Sequence, residues 1–334
     1  MTMLADLDLD PGIRLWLSRV EQATKDLPDL SSPDLGLQRE AGRRLSDLIA
    51  ADCTLPIPGG VDIDNVVGSG TESGVRMRRY RPSATAGPLP TQLWLHGGGF
   101  VSGSADELVN ERLCARRALE TGIQVFSLDY RLAPEHPYPA PVLDAVTALG
   151  LLAAAAEQFD VDRSRLGIGG TSAGAAIAAS TALSLRGTGS PRLVHLALEA
   201  PVAALSPVGR SAAAYATGFG LDQIERVTAM YVGTDTPSDA HVFPLDVIDL
   251  TGTPRTLVMV AEHDPLRDSG IRLADRLSTA GVPVDLVIGA GHLHGSTAQT
   301  AVSAAARAWE VAYAHHLRVA YARPRRQRDT ALRR

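Results

Sequence analysis

Between residues 10 and 50, apolar and polar positions recur at roughly helical spacing. Ile13, Leu15, Trp16, Leu17 and Val20 fall mostly on one side of a first helix. Leu37, Leu45, Leu48 and Ile49 predict a second, entered through the start signal Ser31-Ser32-Pro33-Asp34. From Val61 the period changes. Residues 61–67 and 74–81 alternate like a strand pair joined across Gly68–Ser73. Short apolar runs then take turns with longer helical segments. Strands are expected near 92–95, 124–128, 165–169, 194–198, 256–260 and 284–288, and helices near 105–120, 141–158, 173–185, 267–280 and 296–316. This order predicts an α/β chain with a mostly parallel sheet and helices on both faces. The alternation fails between about Ala203 and Gly252, where 221–231 is the best candidate for an extra helix. A long insertion is expected over the site, together with the two N-terminal helices.

Composition adds bounds rather than a function. The 334 residues suit one large domain or two small ones, and 45% hydrophobic with 21% charged residues is ordinary for a globular chain. A net charge of −5 gives no reason to expect a nucleic-acid partner. Cys53 and Cys114 have neither metal-site spacing nor the number for a disulfide framework. The opening MTMLADLDLDPG is acidic and leads into no apolar segment, and the longest apolar run, 148–156, is too short to span a bilayer. A cytoplasmic location without stable membrane insertion is therefore expected. Residues 318–334 are dense in arginine and poor in large apolar residues, and read as a disordered tail.

Chemistry concentrates at Arg165–Gly174, reading RLGIGGTSAG. An apolar strand, Gly170-Thr171-Ser172-Ala173-Gly174 and an alanine-rich helix form the G-x-S-x-G pattern in its strand–turn–helix context. Ser172 would stand at the tip of a strained turn, with the Ala173 N–H and a helix N-terminus aimed at any oxyanion beside it. Serine needs a base, and the base needs an acid to hold its tautomer. Past the strand 257–260 come Glu262, His263, Asp264 and Asp268; past the next strand come His292 and His294. Asp264 is the candidate acid, with Glu262 its rival and Asp268 a helix-end charge, and either histidine could be the base. A metal reading of His263, His292 and His294 lacks a completing carboxylate or cysteine array, so no metal or cofactor is expected. Upstream, Leu93-Trp94-Leu95 runs into His96-Gly97-Gly98-Gly99-Phe100, where glycines let backbone N–H groups converge on one point.

These segments, with Asp129-Tyr130-Arg131-Leu132-Ala133-Pro134-Glu135-His136-Pro137-Tyr138-Pro139-Ala140, Asp264–Asp268 and His294-Gly295, are collinear. Together the chain resembles the hormone-sensitive-lipase-like branch of the α/β-hydrolases, the bacterial family IV esterases, in the subgroup with threonine before the serine. The resemblance implies an eight-stranded α/β-hydrolase fold with a helical cap. It implies a carboxylic ester hydrolase for short- to medium-chain acyl esters, with Ser172 as nucleophile, Asp264 as acid and His294 rather than His292 as base. Gly98, Gly99 and Ala173 would supply the oxyanion N–H groups, with Gly97 beside them, and Arg131 and Glu135 would be structural. The implied organisation is cap helices over 1–55, a catalytic domain over 56–318 with a cap insertion at about 203–252, and the tail over 319–334. The partner is a small-molecule ester, and the resemblance allows a homodimer through the last strand or helix. A metabolite-specific deacetylase or acyltransferase would use the same three groups, and a binding protein on this fold would need none of them. One departure stands out: the family has an aromatic residue after His-Gly, and this chain has Ser296.

Overall fold

The computed structural model describes residues 4–68, 74–188, 191–217, 221–234 and 242–322. Its frame is an eight-stranded sheet in the order β1-β2-β4-β3-β5-β6-β7-β8. The strands are β1 (Val61–Gly68), β2 (Val75–Pro82), β3 (Leu89–Leu95), β4 (Gln124–Asp129), β5 (Val161–Thr171), β6 (Leu193–Glu199), β7 (Arg255–His263) and β8 (Val284–Leu293). β2 pairs antiparallel with β1 and β4; every later pairing is parallel. The hairpin link 69–73 lies outside the described residues.

The strands' period of two sorts side chains onto two faces. Leu93, Leu95, Ile168, Leu198, Val258 and Val260 face one core, shared with α4 (Ala140–Ala154), α5 (Ala173–Ser184) and α8 (Arg267–Thr279). Trp94, Val125, Ala197, Leu257 and Met259 face the other, closed by α3 (Leu108–Thr121) and α9 (Ala304–Tyr321). β3 is buried along its whole length, as a central parallel strand should be.

Two N-terminal helices precede the sheet. Asp10 caps α1 (Pro11–Lys25), accepting from Gly12 N–H, and Asp34 caps α2 (Leu35–Cys53), accepting from Gly36 and Leu37 N–H. Both helices form as the spacing predicts, but only part of their apolar stripes is covered: Ile13 and Ile49 are buried, whereas Leu15, Leu37 and Leu48 are exposed. The 203–252 stretch contains α6 (Arg210–Ala214) and α7 (Ile224–Val232).

Two expectations change. The single helix over 296–316 is split: a short 3-10 turn at Ser296–Ala298 is followed by α9, which starts where Ser303 caps Ala306 N–H. The polar residues Gln299, Thr300 and Ser303 break the helical period there. At the other end α9 runs past Arg318 to Tyr321, whose ring is buried against His195. Residues 319–321 of the expected tail are therefore helical, and 323–334 lie outside the described residues. Among the described residues no helix is long and apolar enough to cross a membrane.

Candidate active site

β5 ends at Thr171 and α5 begins at Ala173, so Ser172 makes the turn alone. Its backbone has φ 54° and ψ −117°, a conformation costing about 1–3 kcal/mol that persists only where neighbours fix it. Here they do. Ser172 N–H donates to Glu199 O at 2.8 Å, and Ser172 O accepts from Ala175 N–H at 3.1 Å. A Cβ on Gly170 would strike the Gly174 carbonyl, and one on Gly174 would strike the carbonyls of Leu95 and His96. The two glycines are thus demanded by close backbone approach.

Asp264 follows β7 and is fully buried. Its Oδ1 accepts from Leu266 N–H at 2.8 Å, and its Oδ2 lies 2.8 Å from His294 Nδ1. His294 Nε2 lies 3.0 Å from Ser172 Oγ. A carboxylate only accepts hydrogen bonds, so Nδ1 carries the imidazole proton and Nε2 offers its lone pair to the serine hydroxyl. Burial disfavours the imidazolium of His294, but the charge of Asp264 and the hydrogen bond to it prevail, and the pKa is raised.

The third part comes off β3. The Gly98 carbonyl accepts from Val101 N–H at 3.2 Å, Ser102 N–H at 3.0 Å and Ser102 Oγ at 2.8 Å. Because the peptide is planar and trans, pinning that carbonyl also fixes the Gly99 N–H in the opposite direction. Among the described residues the N–H groups of Gly98, Gly99 and Ala173 donate to no acceptor. Phe100 stacks on Tyr231 of α7 with ring centroids 3.9 Å apart, and Val227 of α7 packs over Gly99. From α2, Arg39 Nε donates to Val101 O at 2.6 Å, Arg39 also donates to Ala133 O at 2.9 Å, and its fork grips Glu135 at 2.7 and 2.8 Å. That hydrogen-bonded fork holds the Glu135 carboxyl down at about 2. Arg131 is paired with Asp144 at 2.7 Å. Glu135 thus braces the loop through Arg39, and Arg131 ties its own segment to α4, structural positions as the resemblance implied.

The rival candidates go elsewhere. Glu262 Oε2 accepts from Gly291 N–H at 2.7 Å, His263 Nδ1 lies 3.1 Å from the Tyr215 hydroxyl, and Asp268 accepts from Ser211 N–H at 3.0 Å in the first turn of α8. His292 is buried, with Nδ1 2.8 Å from Ser296 Oγ, which also accepts from Leu293 N–H at 3.0 Å. Ser296 therefore ties down the turn that carries His294. The three histidines do not converge, and among the described residues no group of three or more ligand-type side chains is placed to hold a metal.

The sequence reading missed a second buried charge assembly. Arg117 of α3 donates to both carboxylate oxygens of Glu199 at 3.0 Å and to Glu310 of α9 at 2.6 and 2.8 Å. Trp309 Nε1 adds a bond to Glu199 at 2.6 Å, and the guanidinium lies 4.6 Å from the Trp94 ring centroid and 3.9 Å from that of Tyr313. Burial raises the pKa of Glu199, against the pull of Arg117. The sequence offers little signal for it: Arg117 stands among Glu111, Arg112, Arg116 and Glu120 in α3, and only Glu199 closes a mainly apolar run.

Comparison with known proteins bears on the fold that carries this site. Residues 92–298 match the family model described as the alpha/beta hydrolase fold. A carboxylesterase of Mycobacterium tuberculosis is 35% identical over 238 residues, covering 70% of this chain and 74% of its own. An ethyl acetate hydrolase of Pseudomonas putida is 31% identical over 303 residues, covering 86% and 92%. The solved structure of an ester hydrolase from the metagenome of Lake Arreo superposes with a TM-score of 0.83 at 34% identity, covering 93% of this chain and 98% of that one. Sheet order, serine turn and glycine loop, taken with these matches, make the chain a member of the α/β-hydrolase family, in its hormone-sensitive-lipase-like branch.

Proposed function

We propose that this protein is a carboxylic ester hydrolase working through an acyl-enzyme on Ser172. The observation that carries the reading is the unbroken relay from Ser172 Oγ through His294 to Asp264, at 3.0 and 2.8 Å. His294 Nε2 takes the hydroxyl proton as Ser172 attacks the ester carbonyl. The oxyanion is met by the unengaged N–H groups of Gly98, Gly99 and Ala173 at the N-terminus of α5. His294 then gives its proton to the leaving alcohol, and water releases the acid by the same route in reverse, while Asp264 holds the tautomer and stabilises the transient imidazolium. No step calls on a cofactor.

α1, α2 and the 203–252 stretch serve as the cover of the site in this reading; the packing of α7 on Phe100 and of Arg39 on the loop end supports it. A cavity of about 300 Å³ lined by Gly98, Thr171 and Gly295, chain neighbours of the oxyanion loop, Ser172 and His294, and a second of about 320 Å³ farther toward α1, support short- to medium-chain acyl esters as substrates. A cytoplasmic location belongs to the same proposal and is supported by two buried free thiols, Cys53 and Cys114. So does a homodimer through β8, which closes the described sheet and leaves Leu286 and Ile288 exposed.

The test is labelling with a fluorophosphonate followed by peptide mapping, beside hydrolysis of p-nitrophenyl esters. Adduct on Ser172 with turnover of acetate or butyrate is the expected result. Absence of both would remove the hydrolase reading.

A further inference from the structure

The nearer cavity is walled by Gly98, Thr171 and Glu199 on the sheet side and by Ser46, Glu107 and Asn110 opposite. Its collar is polar: Ser46 Oγ donates to Glu107 at 3.2 Å, and burial pushes that carboxyl up to about 7. The farther cavity, toward α1, is apolar and lined by Trp16, Val20, Leu45, Ile49 and Val109. Gly42, Ser46, Val109, Gly295 and Ala298 line both, so they form the seam between the two.

Two seam residues are glycines, for different reasons. Gly295 has φ 79°, which explains it through the backbone of the turn after His294. Gly42 has no such explanation. It lies inside α2, where glycine is the poorest helix former after proline. A Cβ there would meet nothing within 4 Å, so packing does not require glycine either. What its missing side chain leaves is open space at the seam.

We propose that Gly42 is a specificity-determining residue that keeps the two cavities joined. One extended arm of an ester bound at Ser172 then passes the polar collar and ends among Trp16, Leu45 and Ile49. The preferred substrates are esters with one arm long enough to cross the seam and apolar at its end. The inference rests on the ester-hydrolase reading.

The experiment replaces Gly42 with Leu and with Ala and measures kcat/KM in two series. One is p-nitrophenyl esters from acetate to octanoate, which lengthens the acyl arm. The other is acetate esters from ethanol to octanol, which lengthens the alcohol arm. In one of the two, the long-to-short ratio of kcat/KM falls about tenfold or more in Gly42→Leu, the scale set by excluding methylenes from an apolar pocket. It falls less in Gly42→Ala, which favours the helix and carries the test if the leucine variant does not fold. The series that responds identifies the arm. Unchanged ratios in both series, or equal losses for long and short esters, overturn the inference. A wild-type chain that hydrolyses no ester overturns the underlying reading instead.

Discussion

Two assemblies of buried charge meet at the serine turn. Glu199 joins them: its carbonyl holds Ser172 N–H, and its carboxylate belongs to the cluster with Arg117 and Glu310. In the Ser172–His294–Asp264 relay each group has one fixed partner behind it, and the last, the serine hydroxyl, has no side-chain partner beyond His294 among the described residues. In the Arg117 cluster every carboxylate oxygen is engaged, and the guanidinium is sandwiched by rings. Similar burial and similar hydrogen bonds thus serve opposite ends. An assembly with a free terminus can do chemistry; one whose acceptor oxygens are all engaged holds elements in register, here α3, β6 and α9, even though Arg117 Nη1 has no hydrogen-bond partner.

Measurements on four single variants would break or sharpen that contrast. Ser172→Ala removes the free terminus and should lower kcat by about 10⁶; more than a thousandth of wild-type turnover would mean that another group does the attack. Asp264→Asn should lower kcat by about 10⁴ through the wrong tautomer. The same variant has a pH signature. His294 must be neutral to act, and its raised pKa places the acid limb of kcat/KM above the ordinary imidazole value of about 6.5. Without the Asp264 charge only burial remains, so the limb should move to lower pH.

Arg117→Met should leave two buried carboxylates without their cation and destabilise by about 3–5 kcal/mol, read as a lower urea midpoint. Adding Glu199→Gln and Glu310→Leu should restore much of that loss, and turnover at low temperature should suffer far less than in the relay variants. A collapse of kcat with unchanged stability would erase the distinction. The smallest effect is expected for Glu135→Gln. This carboxyl is half exposed, so its ion pair with Arg39 is worth at most about 1 kcal/mol. Its folded pKa is depressed, so the contribution is present above the unfolded value of about 4.5 and is lost as pH falls through about 2. Wild type and variant should therefore melt differently at neutral pH and alike in strong acid.

What the sequence disclosed follows from how local each signal is. The sheet frame was legible because period-two apolar runs and strand–helix alternation are written in neighbouring residues. Ser172 was legible because Gly170 and Gly174 are fixed by backbone approach within one turn. The choice of His294 over His292 was not local. Both follow the strand expected at 284–288, and the residues alone left them equal; the resemblance through His294-Gly295 chose His294, and in the structure Ser296 holds His292 while His294 faces Asp264. Arg117, Glu199 and Glu310 were invisible for a similar reason: their partners are 82 and 193 positions apart in the chain. The split before α9 was missed because Ala301 and Val302 kept the stretch looking helical, while Ser303 acted as a new cap.

Three hydrogen bonds bear on the order in which the molecule is completed. The end of α2 is sewn to the turn after His294: Thr54 Oγ1 donates to Ala298 O at 2.9 Å, Leu55 N–H to Thr300 Oγ1 at 3.0 Å, and Ala301 N–H to Cys53 O at 2.9 Å. Some 244 residues separate the two sides of this seam, so its closure entropy must be met before any of these bonds forms. During synthesis, at about 5–20 residues per second, α2 can meet residues 101–135 early, but this edge of its packing must wait for residues 298–301. For that interval the apolar stripes of α1 and α2, Trp16 and Ile49 among them, are open to chaperones or to other nascent chains. The two helices that precede the sheet are thus fastened along this edge only once the turn after His294 has been made.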